Sequence, residues 1–152
     1  FDNQADPNQV NQQRLYGWRT RFHSLAVQHE FNAQNRLIAQ WLSGDTVMGE
    51  RFVAADFESW YLMFSHSNKQ HRVSIRYDNF KVIEDDVFAW DMNDSRGDAL
   101  TLAWRYTINS YWQIGLEHHL NTNYAASRQS LDQELRIHQQ QSLAVLQYRW
   151  GQ

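Results

Sequence analysis

Long segments of this sequence alternate apolar and polar side chains with a period of two residues. In 72–78, Val73, Ile75 and Tyr77 are separated by polar residues, and 100–106, 112–117 and 143–150 repeat the pattern. Successive side chains of a β-strand point to opposite faces, so the pattern indicates strands with one apolar face and one polar face. No stretch shows a convincing helical period, although the glutamine-rich segment 129–141 could be helical by propensity.

We therefore predict an all-β domain of about seven antiparallel strands in meander order. The predicted strands are 14–28, 35–44, 53–66, 71–84, 97–109, 111–122 and 134–150. Tight turns at 67–70 and 109–110 alternate with longer links at 45–52, 85–96 and 123–133, so that short and long links are expected at opposite ends of the sheet. Residues 1–13 are predicted to be a polar loop or tail, and 1–152 a single domain, with the meander in 14–150.

Composition excludes several classes of protein. The chain has no cysteine, which rules out disulfides and thiolate metal sites. Seven Trp, seven Tyr and eight Phe are too many for a disordered segment. A net charge of -3 argues against a nucleic-acid partner. The mean hydropathy of -0.72 argues against membrane-spanning helices.

The alternation alone does not decide whether the apolar faces meet in a protein core or meet lipid. Several predicted strands exceed the five or six residues usual in globular proteins and reach the roughly 9–11 that cross a bilayer. The aromatic residues at strand ends fall beside the turn at 109–110, namely Trp104, Tyr106, Tyr111, Trp112, Tyr148 and Trp150. One level of aromatics is typical of an interfacial girdle, so we expect a transmembrane β-barrel.

The last strand resembles the C-terminal strand of Gram-negative outer-membrane porins. The segment 142–150 alternates apolar residues and ends in aromatics, with Ala144, Leu146, Tyr148 and Trp150 matching that pattern. It differs in having Trp where Phe is commoner, and in the Gly151-Gln152 that follows. The resemblance implies that these four residues are an assembly signal for the barrel-assembly machinery. Residues 71–80 and 99–106 are similar to late strands of phosphate-selective and related uncharacterised porins.

The resemblance also implies an antiparallel up-and-down transmembrane barrel in the bacterial outer membrane. Because bacterial single-chain barrels have even strand numbers, seven strands suggest the C-terminal half of a barrel of about 16–18 strands. A complete eight-stranded barrel, with one strand unrecognised in 1–13 or 85–96, is the alternative.

On that basis the polar faces would line a water-filled pore, where arginine favours anions. The candidate pore-lining residues are Arg19, Arg21, Arg72, Arg76, Asp78, Arg105, Gln113, Glu117, His119 and Arg149. The alternative is that these charges pair with one another and stiffen the barrel wall. With two lysines in the chain, no converging basic cluster is evident from the sequence.

Other chemistry has weaker support. His118 and His119 are adjacent and would point to opposite faces, whereas His66 and His71 could face each other across a hairpin without a third ligand. Ser74, His119 and Asp78 could form a hydrolytic triad, but no nucleophile motif surrounds them. We therefore expect no catalytic residue, no metal and no cofactor.

The predicted function is passive diffusion of small hydrophilic solutes, anions among them, by a porin-like channel that is not an enzyme. The expected partners are outer-membrane lipid and lipopolysaccharide, the assembly machinery, the solutes and, as one option, two further copies in a homotrimer. The first alternative is a soluble antiparallel β-domain that binds carbohydrate through exposed aromatics. The second is a barrel enzyme that hydrolyses lipid esters.

Overall fold

The computed structural model describes residues 1–9, 17–49, 51–87 and 93–150. Its elements are β1 (Trp18–Glu30), β2 (Asn35–Met48), β3 (Val53–Asn68), β4 (His71–Glu84), β5 (Ser95–Thr107), β6 (Trp112–Ala125), a short 3₁₀ helix (Ala126–Leu131) and β7 (Arg136–Tyr148). The strands form one antiparallel sheet in the order β1 to β7. The predicted all-β meander of seven strands is therefore confirmed.

The sheet is open, because β1 and β7 lie at its two ends and do not pair with each other. Next to β1, Asp2 forms an antiparallel bridge with Arg21. The Phe22 backbone N–H donates to the Phe1 carbonyl at 2.8 Å, and the Asn3 N–H donates to the Thr20 carbonyl at 3.2 Å. Residues 1–3, predicted as part of a loop or tail, thus add a short eighth stretch of pairing outside β1.

The predicted end of β2 at 44 was wrong. β2 continues to Met48, because Gly44 fits into the ladder between Phe22 and Phe57. The link from β2 to β3 therefore has only the four residues 49–52, and the alternation of short and long links is not strict. The glutamine-rich segment is helical only in its 3₁₀ part, and from Arg136 onward it is strand β7. The predicted start of β1 at 14 lies outside the described residues.

Side chains directly opposite each other in an antiparallel pair share a face, so the register assigns every strand residue to one of two faces. The polar face carries Arg72, Arg76 and Arg105. The apolar face carries Val73 opposite Trp104 and Ile75 opposite Leu102, and it continues through Leu116 opposite Ala144 and Ile114 opposite Leu146.

Within the described part of the chain, neither face is covered by a second layer. Among the described residues, the buried apolar side chains are those of Ala54 and Ala126, and no large side chain is fully buried. Leu146 is 66% exposed and Leu102 is 45% exposed. A soluble domain buries its apolar faces between packed layers, and this sheet leaves its apolar face open.

The apolar side chains form a band that crosses the register obliquely. Its centre lies between Leu25 and Val27 on β1 and at Leu146 on β7. The hydrogen-bonded row that starts between Leu25 and Val27 reaches β7 at Gln139, seven residues from Leu146. The rise along a strand is about 3.4 Å per residue, and neighbouring strands are about 4.8 Å apart. A shift of seven residues over six strand-to-strand steps therefore means that the band makes an angle of about 40° with the hydrogen-bonded rows.

Gly97 leaves room for the Phe80 ring of the neighbouring strand. A Cβ at this position would lie 2.7 Å from Cε1 of Phe80 and 2.5 Å from the carbonyl oxygen of Thr122. Both distances are far below ordinary contact, so Gly97→Ala must displace the ring and the backbone. We expect this substitution to lower the free energy of unfolding by about 1–3 kcal/mol, measured by denaturant titration of the folded chain.

Gly115→Ala is the matched control. A Cβ there would meet its nearest atom, the Trp104 carbonyl oxygen, at 3.4 Å. We expect a loss below about 0.5 kcal/mol. Equal losses of unfolding free energy in Gly97→Ala and Gly115→Ala would show that the close contact with Phe80 is not the reason why glycine occupies position 97.

Candidate functional site

A basic groove lies on the polar face at the end of the sheet where the short turns are. Four cationic side chains line it, from the β3–β4 turn, the start of β4, the end of β5 and the residue after β7: Lys69, Arg72, Arg105 and Arg149. Its volume is about 360 Å³, and its other lining residues are Ser67, Gln70, His71, Thr107, Gln113 and Gln147. No carboxylate of the described residues lines the groove.

The register brings these cations together. Arg72 lies directly opposite Arg105 in the β4–β5 ladder, and Gln113 lies opposite Gln147 in the β6–β7 ladder. The β3–β4 turn and the end of β7 lie at the same end of the sheet. Lys69 and Arg149 therefore line the groove together with Arg72 and Arg105. Like charges directly opposite each other destabilise a sheet, and at this pair the charge of Arg105 is compensated by Glu117.

Some of the polar-face charges are neutralised locally. Arg76 pairs with Asp78, Nε donating to Oδ1 at 2.8 Å, and its guanidinium stacks 4.1 Å from the centre of the Tyr61 ring. Arg105 donates from Nη2 to Glu117 at 3.2 Å, and His119 lies 3.5 Å from the other oxygen of Glu117.

Arg72 and Arg149 have no such neutralisation. Arg72 donates from Nε to the Ser67 hydroxyl at 3.2 Å. Neither arginine, nor Lys69, forms an ion pair with a carboxylate of the described residues. The uncompensated positive charge of the polar face is therefore concentrated in the basic groove.

The structure distributes the ten predicted pore-lining residues over both faces. Eight share the polar face, namely Arg72, Arg76, Asp78, Arg105, Gln113, Glu117, His119 and Arg149. The prediction that Arg19 and Arg21 share it is wrong. Arg21 lies opposite Asp45, Asp45 opposite Asp56 and Asp56 opposite Ile83, which places Arg21 on the apolar face.

The reason for this error is a change of parity along β1. Trp18 and Phe22 occupy even positions, whereas Leu25 and Val27 occupy odd positions, and the ladder has no bulge between them. On β1, the same face therefore carries Leu25 and Val27 within the apolar band and Arg19 and Arg21 beyond the end of that band. The pattern within β1 alone could not reveal this, because the face is defined by the partner strands.

Lys69 was missed as a site residue, and the convergence of four basic residues in one groove was not evident from the sequence. Lys69 has a φ of +48° in a turn, where the two-residue period does not apply. Its proximity to Arg72, three residues later, and the short β3–β4 turn were the available signals.

The candidate assembly signal lies at an edge of the sheet. Ala144, Leu146 and Tyr148 share the apolar face of β7. The Tyr148 ring packs 4.7 Å from Trp112 and 5.1 Å from Trp150, measured between ring centres. The terminal aromatics are therefore placed beside those of β6, as the sequence predicts; Gly151-Gln152 lies outside the described residues.

The residues considered for a hydrolytic triad and for a metal site do not come together in the structure. The Ser74 hydroxyl bonds Ser65 at 2.6 Å, whereas His119 Nδ1 bonds Thr101 at 3.0 Å, so Ser74, His119 and Asp78 form no triad. His66 lies opposite Val73, not opposite His71. No group of three potential His, Asp or Glu ligands surrounds a metal position within the described part of the chain.

His118 and His119 point to opposite faces, as the sequence predicts. Among residues with described positions, no helix is both long enough and apolar enough to cross a membrane. Comparison of the chain with models of protein families, with curated proteins and with solved structures found no match.

Proposed function

We propose that the chain is part of an outer-membrane β-barrel, a porin-like channel through which small hydrophilic solutes, preferentially anions, diffuse passively. The observation that carries the proposal is the apolar face of a single-layer sheet, on which residues such as Leu102, Leu116 and Leu146 are 45%, 55% and 66% exposed. Exposed apolar surface of this extent marks contact with a membrane or a partner. Lipid would cover one face while water fills the space beside the other.

The angle of the apolar band supports this arrangement. Strands of membrane barrels tilt by about 35–45° from the membrane normal, so a band level with the membrane must cross the register at that angle. The band of this sheet crosses it at about 40°. Packing of the sheet on another protein layer would not require the apolar band to cross the register at the tilt angle of membrane barrels.

Aromatic residues border the band on both sides. Near the short turns, Trp104 stacks on Tyr106 with 6.1 Å between ring centres, and Trp112 packs on Tyr148. On the opposite side, Trp41 lies opposite Trp60, whose ring centre is 5.4 Å from Tyr77. Tryptophan and tyrosine are enriched at both interfaces of membrane proteins.

Residues 1–3 adjoin the outer edge of β1 through a single antiparallel bridge, so this edge accepts an antiparallel partner. Bacterial barrels have even strand numbers, so closure needs at least one strand in addition to the seven of the described sheet. Within lipid every backbone polar group needs a partner, so the proposal requires that the free edges of the sheet be paired in a closed barrel.

The basic groove supports a preference for anions. Four cations line it, and three of them, Lys69, Arg72 and Arg149, form no ion pair with a described carboxylate. Rings of arginine and lysine select anions in channels. The proposal includes recognition of β7 by the barrel-assembly machinery and contacts with outer-membrane lipid and lipopolysaccharide. No enzymatic activity is proposed.

Conductance tests the proposal directly. We expect the closed barrel that contains this chain, folded with detergent, to partition into lipid bilayers and to produce discrete conductance steps, with a reversal potential in a KCl gradient that indicates a higher permeability for chloride than for potassium. Aqueous solubility without detergent, together with a silent bilayer, would contradict the proposal and favour a soluble β-domain.

A further inference from the structure

One histidine of the seven in the chain lies on the polar face of the sheet. All seven belong to described strands, and the register places six of them on the apolar face, namely His23, His29, His66, His71, His118 and His138. The exception is His119, whose cross-strand partners Thr101 and Gln141 carry no charge. Imidazole is the side chain that ordinarily gains a proton near neutral pH, so His119 is where the polar face of the described strands can respond to pH in that range.

His119 lines a cavity that adjoins the basic groove. The cavity has a volume of about 300 Å³, and the charged residues that line it with His119 are Arg72, Arg76, Arg105 and Glu117. Two of these, Arg72 and Arg105, also line the basic groove. A charge gained at His119 therefore acts on the space in which the cations of the groove lie.

Both ring nitrogens of His119 lie near a group that suits the protonated ring. Nδ1 is 3.0 Å from the Thr101 hydroxyl, which can donate to an unprotonated nitrogen or accept from a protonated one. Nε2 is 3.5 Å from Oε2 of Glu117, whose Oε1 accepts a hydrogen bond from Arg105 Nη2 at 3.2 Å. The His119 side chain is 32% exposed, so water can deliver a proton to it without a change of fold.

Protonation of His119 changes the charge balance of this cluster. While His119 is neutral, the charges of Glu117 and Arg105 compensate each other. Once His119 is protonated, the single carboxylate of Glu117 faces two cations, and one positive charge is left over. The protonated ring offers Glu117 a second charge-assisted hydrogen bond and so competes with Arg105 for it. Because Arg105 lies directly opposite Arg72, the additional charge lies at the border of the basic groove.

We propose that His119 makes the anion preference of the channel depend on pH. This inference rests on the proposed channel function and concerns the regulation of its basic groove. Protonation of His119 adds one positive charge beside Arg72 and Arg105, and this charge attracts anions and repels cations. The preference for anions is therefore lower above the pH range in which imidazole titrates and rises as the pH falls through that range.

Reversal potentials of the closed barrel that contains this chain test the inference. They are measured in a KCl gradient at about pH 7.5 and about pH 5.5, on either side of the range in which imidazole titrates. One charge about 6 Å from a passing ion, screened at about 0.15 M salt, changes the chloride-to-potassium permeability ratio about threefold, because it attracts one ion and repels the other. We expect the unaltered barrel to show a ratio higher by that factor at the lower pH.

Two substitutions of His119 separate its charge from its shape. His119→Gln, which cannot gain the proton, should give at both pH values the ratio that the unaltered barrel has at the higher pH. His119→Lys, which carries a fixed positive charge, should give at both pH values a ratio near that of the unaltered barrel at the lower pH.

His118→Gln is the matched control, because His118 is the neighbouring residue on the apolar face, where its Nδ1 lies 2.9 Å from the Ser142 hydroxyl. His71→Gln is a second control, since His71 also lines the groove, although its ring packs 4.8 Å from that of Tyr106. Both variants should keep the full pH dependence of the unaltered barrel.

Persistence of the pH dependence in His119→Gln, or its loss in either control, would overturn the inference. If the unaltered barrel conducts with the same selectivity at both pH values, this inference fails and the channel proposal stands. If the bilayer stays silent, the channel proposal fails and this inference fails with it.

Discussion

Leu102→Arg is expected to prevent insertion of the chain into a bilayer. Leu102 lies in the middle of the apolar band on β5, opposite Ile75 and His118, and is 45% exposed. An arginine facing lipid near the membrane midplane of a β-barrel costs about 2–4 kcal/mol. The variant should fail to partition with membranes and should lose the anomalous mobility of folded barrels in unboiled gels.

Ala99→Arg is the matched control on the same strand. Ala99 lies on the polar face, opposite Asp78 and Asn121, where an added arginine meets water and a carboxylate. This variant should insert and fold like the unaltered chain. Normal insertion of Leu102→Arg would show that this face does not contact lipid, whereas failure of both variants would show only that β5 tolerates no arginine.

Reversing two charges of the basic groove is expected to reverse the ion selectivity of the proposed channel. Arg72 and Arg149 line the groove without a carboxylate partner among the described residues. In water, reversing one charge about 5 Å from a passing ion changes the energy of that ion by about 1.6 kcal/mol before salt screening. Arg72→Glu/Arg149→Glu should therefore shift the chloride-to-potassium permeability ratio by at least about tenfold, read from the reversal potential.

The matched control reverses Arg19 and Arg21, which the sequence also suggested as pore-lining residues but which lie on the apolar face. Arg19→Glu/Arg21→Glu should keep the anion preference, although Arg21 loses its ion pair with Asp45. A reversal of selectivity in this control, with none in the groove variant, would place the pore on the other face of the sheet.

The strands could be predicted because the two-residue period is a local property of the chain. Alternation such as that of Val73, Ile75 and Tyr77 indicates a strand wherever it occurs, and all seven predicted strands are present. The end of β2 was less predictable, since glycine usually weakens a strand, whereas Gly44 is accommodated between Phe22 and Phe57.

The site was only partly predictable, because it depends on register. Arg72 and Arg105 could be assigned to one face from the patterns of their own strands. Arg21 could not, since its face is determined by Asp45 on β2 and by the partners beyond it. Lys69 lies in a turn, and only the three-dimensional return of the chain places it beside Arg149.

Site-directed labelling tests the central claim most directly, and the absence of cysteine makes the chain suited to it. Single cysteines at Leu100, Thr101, Leu102 and Ala103 would carry a spin label in the bilayer-inserted chain. The account predicts that labels at the even positions collide with lipid-soluble oxygen, whereas labels at the odd positions collide with a water-soluble nickel complex. Even-position labels that are shielded from both reagents, or that are reached by the nickel complex, would contradict it.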